Sequence, residues 1–274
     1  MQELMTTSTQ IQPLQGVETL LDRFIGYIDV KEITKESYFV CLRDFMAWLN
    51  ENCIMQPQRE DIRRYVEYLN TPHPRRQRSD RPSNEPMPII KMSAGTQARY
   101  LRAVKMFFKW TASENLYPNV ADNIHGAKVR HDLHKKDALS REDVPKIASS
   151  IDTSDEQGKR LYAMYLLTVT AGLRTIEVSR ADIKDFITRG GASWLYIWGK
   201  GHEEADTRKP LAPEVAEALR DYLASRTDNP KANSPPFVAT GNRSGGKRLA
   251  STTISTMLKR AMQAAGYDSE ALTA

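Results

Sequence analysis

The sequence predicts a mainly helical protein with one small β-hairpin, divided into an N-terminal helical domain and a C-terminal mixed α+β domain. Three observations predict it. Apolar residues recur at helical spacing through most of the chain. A polar stretch without apolar periodicity, Asn123 to Lys136, separates two patterned regions. One segment of strand character, Trp194 to Trp198, is followed by a polar turn and a second extended run, Thr207 to Leu211.

The elements follow in order. Residues 1–15 are polar and read as a flexible leader. From Gly16 the pattern is helical, with Leu20, Leu21, Phe24, Ile25 and Ile28 on one side. A second helix is expected over Thr34 to Asn52 and a third near Arg59 to Leu69. Thr71 to Pro88, rich in proline, arginine and serine, reads as an exposed loop. Ser93 is placed to cap a fourth helix, Thr96 to Ser113. Residues 16–122 thus form the helical domain and 123–138 a basic linker. The second domain, 139–274, opens at Ser140, where Glu142 and Asp143 favour a helix start. Leu161 to Val169 is apolar on all sides and is expected in a core. Beyond the hairpin, Pro213 opens an amphipathic helix, and a last helix spans about Ser251 to Ala265.

Composition excludes several classes. Lysine and arginine number 39 against 34 acidic residues, a net charge of +5. No run approaches the ~18 apolar residues of a membrane span, and the N-terminus lacks a signal-peptide pattern. A cytoplasmic protein without a membrane partner is expected. The two cysteines, Cys41 and Cys53, have no metal-binding spacing and are expected to be buried small apolar residues rather than a disulfide.

Positive charge is concentrated. From Thr71 to Lys109 there are nine cations and two acids, a net +7. Arg75, Arg76, Arg78, Arg81 and Lys91 precede the fourth helix, and Arg99, Arg102, Lys105 and Lys109 lie on it. With Arg99 at zero, the other three helix cations fall near about 240–300°, while Leu101, Val104, Phe107 and Phe108 fall near about 80–200°. One side can enter a core while the other meets phosphates. A solvated face beside a basic loop would show the same pattern. The linker cations Lys128 and Arg130 favour a polyanion.

The C-terminal domain carries the sharper constellation. A core helix runs into Thr170-Ala171-Gly172-Leu173-Arg174-Thr175-Ile176-Glu177. Gly172 can end a helix and turn the chain. Arg174 would then sit at the edge of a packed core, offering a planar fork of donors that suits two phosphate oxygens. Glu177 can hold that guanidinium, although an RxxE pair is more often a simple surface ion pair. Lys200, 26 residues after Arg174, sits in Gly199-Lys200-Gly201, where the strand meets its turn. A lysine there can reach a leaving oxygen and protonate it, although most such triplets are solvated turns. The triplet is not a P-loop, since it lacks the GxxxxGK[ST] pattern and opens no helix.

Together these motifs resemble the catalytic domain of tyrosine recombinases of the integrase type: a buried helix, a GLRxxE turn, a strand with GKG, a return strand ending in Pro210-Leu211, the helix from Pro213, and a glycine-rich turn before a closing helix. The helical region before it is similar to that family's core-binding domain. The resemblance covers roughly residues 16–274. It implies a two-domain clamp on double-stranded DNA and strand exchange through a 3′-phosphotyrosyl link, with no metal or nucleotide cofactor. Arg174 matches the family's first phosphate-binding arginine, Lys200 the general acid of the hairpin, and Glu177 the acid that supports the arginine. An oligomer on DNA is implied for a complete recombinase.

The sequence departs from the family pattern in two packing positions, Ala171 and Ile176. It also lacks an HxLRH segment and the tyrosine that follows it, so no nucleophile, second arginine or catalytic histidine is assigned. Tyr267 precedes the place of that segment and is expected to pack. The chain is therefore expected to bind DNA without cleaving it. A DNA-binding accessory protein without chemistry is the alternative, and a helical protein-interaction module is a third.

Overall fold

A computed structural model describes residues 17–74, 87–128, 137–198, 204–240, 245–269 and 272. It divides into two compact units, 1–132 and 133–274. Each has its own apolar core.

Among the described residues the first unit holds four helices: α1 Val17–Tyr27, α2 Glu32–Glu51, α3 Arg59–Asn70 and α4 Ala94–Ser113. Their apolar faces meet in a core that buries Phe24, Phe45, Phe107 and Phe108 fully. Phe24 and Phe107 meet edge-on with ring centroids 5.7 Å apart, as do Phe45 and Phe108 at 6.0 Å. That geometry suits the ring quadrupoles. Ser93 caps α4, its Oγ accepting from the Thr96 amide at 3.2 Å. Tyr65, buried between the helices, donates its hydroxyl to Asp44 at 2.9 Å.

The expected loop after the third helix contains a feature the sequence reading did not give. His73–Pro74 (β1) pairs antiparallel with Ile89–Ile90 (β2). Two-residue strands carry no periodicity to detect. Cys41 is buried as expected, whereas Cys53 is exposed, and both are free thiols. Cys53 lies past the end of α2 with a φ of 54°, where the chain turns outward and no core face remains.

The second unit packs α5 Asp143–Ser150, α6 Glu156–Val169, α8 Pro213–Ser225 and α9 Ser251–Ala264 with a short α7, Thr175–Arg180, and a three-stranded antiparallel sheet. The sheet order is β3 Phe186–Arg189, β4 Ala192–Trp198, β5 Ala205–Leu211. The expected hairpin is β4–β5, and β3 is an additional edge strand. On β4 the buried Ser193, Leu195 and Ile197 alternate with half-buried Trp194, Tyr196 and Trp198. This period of two places one face on the core. The ladder slips between Ile197 and Trp198, directly before the segment that holds Lys200. α6 buries Ala163, Met164, Tyr165, Leu166 and Leu167 in the core, while Leu161, Tyr162 and Val169 are half-buried.

Ser140 stands at the start of α5 as expected. Its Oγ accepts from the Asp143 amide at 3.2 Å, and its own amide donates to the Asp143 carboxylate at 3.0 Å. Among the described residues no helix is long and apolar enough to cross a membrane.

Candidate functional site

The site in the second unit begins where α6 runs out. The amides of Thr170 and Ala171 both bond the Leu166 carbonyl, and the Leu173 amide bonds that of Leu167 at 3.2 Å. Gly172 has a φ of 65°. A side chain there would force a left-handed backbone that costs about 1–2 kcal/mol. Buried Leu173 then pins the turn to the core, so that Arg174 emerges at the N-terminal boundary of α7.

Glu177, one turn into α7, binds Arg174 twice. Its Oε2 accepts from the Arg174 amide at 2.8 Å, and its Oε1 accepts from Nη1 of the guanidinium at 2.9 Å. Their environments differ: the Glu177 side chain is 7% exposed and that of Arg174 is 76% exposed. A surface ion pair would leave both partners in water and contribute little. Here a buried, doubly bonded carboxylate holds back one corner of a fork whose remainder faces solvent. Such a group can receive a phosphate or carboxylate without first losing its side-chain freedom. The Ser179 hydroxyl, on the inner side of α7, donates to the Leu249 carbonyl at 2.6 Å. Lys200 lies outside the described residues.

In the first unit the expected division of α4 is present. Leu101, Val104, Phe107 and Phe108 are buried, Arg99, Arg102 and Lys109 are exposed, and Lys105 is half-buried. The cations do not share one depression, however. Arg99 lines an open groove of about 880 Å³ with Lys91 and Arg43, together with the carboxylates of Asp44 and Glu51. Arg102 and Lys105 line a smaller groove of about 240 Å³ with His125, between α4 and the segment that leaves it. Arg99 also faces the Cys41 thiol, which burial pushes up to about 11 against the opposing pull of that guanidinium. Lys128 is exposed. Arg75, Arg76, Arg78 and Arg130 lie outside the described residues.

Arg43 was not singled out from the sequence. It sits on α2, whose other charges are mixed, and only the packing of α2 beside α4 puts it in the same groove as Arg99. Its position on the outer face of α2 was readable, but its neighbours were not.

Residues 137–274 match the phage integrase family, and residues 20–117 match the phage integrase N-terminal SAM-like domain. The chain belongs to the phage integrase family of tyrosine recombinases. Among curated integrase-family relatives, tyrosine recombinase XerC 1 of Ralstonia nicotianae is 29% identical over 65% of this chain and 57% of its own length. Tyrosine recombinase XerC of Escherichia coli O157:H7 is 32% identical over 49% of this chain and 43% of its own length. The chain thus spans about half the length of these relatives.

Solved integrase folds are similar across nearly the whole chain. The XerH site-specific recombinase bound to palindromic difH substrate matches with a TM-score of 0.63 at 18% identity, covering 86% of this chain and 64% of that one. A lambda integrase dimer bound to a COC′ core site matches with a TM-score of 0.61 at 15% identity, covering 91% and 81%. The fold is therefore that of the integrases, a helical N-terminal domain followed by an α+β catalytic domain.

Proposed function

We propose that this chain binds double-stranded DNA as part of a site-specific recombinase and that Arg174 grips the phosphodiester at which strands are exchanged. The observation that carries the reading is the exposed Arg174 fork held by the buried carboxylate of Glu177. In the exchange step the bond from phosphorus to the 5′-oxygen breaks as a bond to a tyrosine oxygen forms. Arg174 neutralises a non-bridging oxygen as charge develops. Lys200 supplies the proton that the departing 5′-oxygen takes up. Glu177 keeps the guanidinium aimed. The cations Arg99, Arg102, Lys105, Lys109 and Lys128, with Arg75, Arg76, Arg78 and Arg130, contribute non-specific backbone affinity through counterion release.

No HxLRH segment occurs among the 274 residues. This chain by itself is accordingly proposed to bind DNA without cutting it, and the oligomer that strand exchange requires would assemble on DNA from complete protomers. The difference between binding and cutting is measurable. A labelled duplex titrated at about 50 mM and 200 mM salt should lose affinity by orders of magnitude if several phosphates are contacted. Affinity that does not change with salt, or no binding at all, would refute the DNA reading. A nicked substrate that traps covalent protein–DNA adducts should yield none; an adduct would overturn the claim that the nucleophile is missing. Binding that is unaffected by Arg174→Ala would favour an accessory DNA-binding role over a recombinase site.

A further inference from the structure

We propose that Arg248 is a positioning residue for Arg174, clamping the far end of α7 so that its near end presents the guanidinium at a fixed angle. This rests on the reading of Arg174 as the phosphate grip.

α7 has six residues, which gives it a length of about 9 Å. A helix that short has no stability of its own. Its orientation must come from what its ends and inner face touch. At the C-terminal end, the carbonyls of the last turn lack intrahelical partners. Arg248 supplies a donor to one of them, Ser179, and to the capping residue Ala181. Its Nη1 donates to the Ser179 carbonyl at 2.8 Å and to the Ala181 carbonyl at 2.6 Å, and its Nη2 donates to Asp182 Oδ1 at 2.5 Å. A cation in this place also complements the negative end of the helix. A lysine could not reproduce this arrangement, because the three acceptors match a planar fork.

Arg248 is itself held. Its backbone forms an antiparallel bridge with Val238, and the Val238 carbonyl accepts a hydrogen bond from Nη1 of buried Arg160, a residue of α6. A closed frame results. From the end of α6, the Gly172 turn leads directly to Arg174. From the start of α6, the path runs through Arg160, Val238 and Arg248 to the other end of the same short helix. If the Arg248 anchor is lost, α7 keeps its core contact through Val178 and the bond from the Ser179 hydroxyl to the Leu249 carbonyl, but its C-terminal end is no longer fixed and can tilt. The exposed fork at its head then sweeps over a range of directions instead of one.

Two measurements on the full chain test this. In native-state hydrogen exchange, Arg248→Gln should speed exchange of the Arg174 amide, which bonds Glu177, and of the Glu177 and Val178 amides, which bond the Arg174 carbonyl. Amides of α8 should be unchanged. Unchanged protection at Arg174 overturns the proposal. Where Arg248→Gln leaves too little folded protein, Asp182→Asn loosens the same anchor more gently, and the same amides decide.

The second measurement is the salt dependence of binding to a labelled DNA duplex. Losing one phosphate contact lowers the slope by about 1. Arg174→Ala and Arg248→Gln should each lower it by that amount, and the double variant by no more than either alone. A slope lowered by about 2 in the double variant means that Arg248 contacts phosphate itself and overturns the proposal. A normal slope for Arg248→Gln alone also overturns it, because the anchor would then be merely structural. If the unaltered chain binds no DNA, the functional reading fails, while hydrogen exchange still decides whether Arg248 positions Arg174.

Discussion

The hydroxyl of Tyr267 donates to Asp143 Oδ1 over 2.8 Å, joining residues 124 positions apart. It ties the chain beyond α9 to the first turn of α5. Hydrogen bonds from Ser140 and then Tyr267 hold the Asp143 carboxyl at about 2, below its ordinary 3.8. A carboxyl with a depressed folded value stabilises the fold above its unfolded value and loses that contribution as pH falls. Stability should therefore drop between about pH 4 and pH 2 through this group. Asp143→Asn should remove that part of the profile in urea unfolding measured across the acid range. A profile identical to that of the parent would contradict the assignment.

At the alkaline end the sign reverses. Asp143 raises the Tyr267 hydroxyl above its ordinary 10.0, chiefly by accepting its hydrogen bond. A raised folded value gives stability that is present below the unfolded value and is lost as pH climbs through the folded one. Tyr267→Phe should flatten the decline above pH 10 in the same unfolding assay, although other raised tyrosines, Tyr65 and Tyr165 among them, keep part of it.

Glu177 is the anchor of the proposed phosphate grip, and its removal should be felt in stability. Glu177→Ala takes away the acceptor for two donors at a buried position, which costs about 1–3 kcal/mol. Glu177→Gln keeps the shape and one good acceptor, so it should cost less. Denaturant midpoints at constant slope give both values.

Arg174→Lys separates charge from shape. The charge is unchanged, so the salt slope of DNA binding should stay as it is. The fork is lost, and with it one charge-assisted hydrogen bond of about 1.5 kcal/mol or more, which is roughly tenfold in affinity. A lysine variant that binds as tightly as the parent would show that the planar geometry has no role.

Two glycines should respond differently to alanine. At Gly172 a Cβ meets nothing within 4 Å, and only its φ of 65° opposes it. The expected cost is about 1–2 kcal/mol. At Gly158 the added atom would lie 1.7 Å from the Asp152 carbonyl oxygen. Backbone must move there, with a cost of about 3 kcal/mol or more, the upper end of overpacking. Thermal or urea unfolding ranks the two variants.

Features set by local chemistry were legible in the sequence. The Ser93 cap, the apolar face of α4 and the all-round apolar α6 each depend on residues within a few positions of one another. The β4–β5 hairpin was legible from strand character on both sides of a polar turn. Strand β3 was missed because Phe186-Ile187-Thr188-Arg189 is too short to alternate clearly. The Gly190-Gly191 pair after it, with φ of 56° and 78°, is the two-residue turn signal that could have disclosed it. At the candidate site the Arg174–Glu177 spacing was readable, but the burial of one partner and exposure of the other was not. The Arg248 contacts span 66 to 69 positions. No local pattern distinguishes such an arginine from one that faces solvent, and the same holds for Arg160 and Arg226, which also donate to backbone carbonyls.

The outward turn at Cys53 gives the N-terminal unit a built-in clock. An alkylating reagent meets that sulfur at once, whereas Cys41 is wholly enclosed and its thiol is shifted up to about 11. Modification of the second sulfur waits on opening of the helical core. Mass spectrometry of a single sample thus reads a fast event at the surface and a slow one that measures how often this unit unfolds.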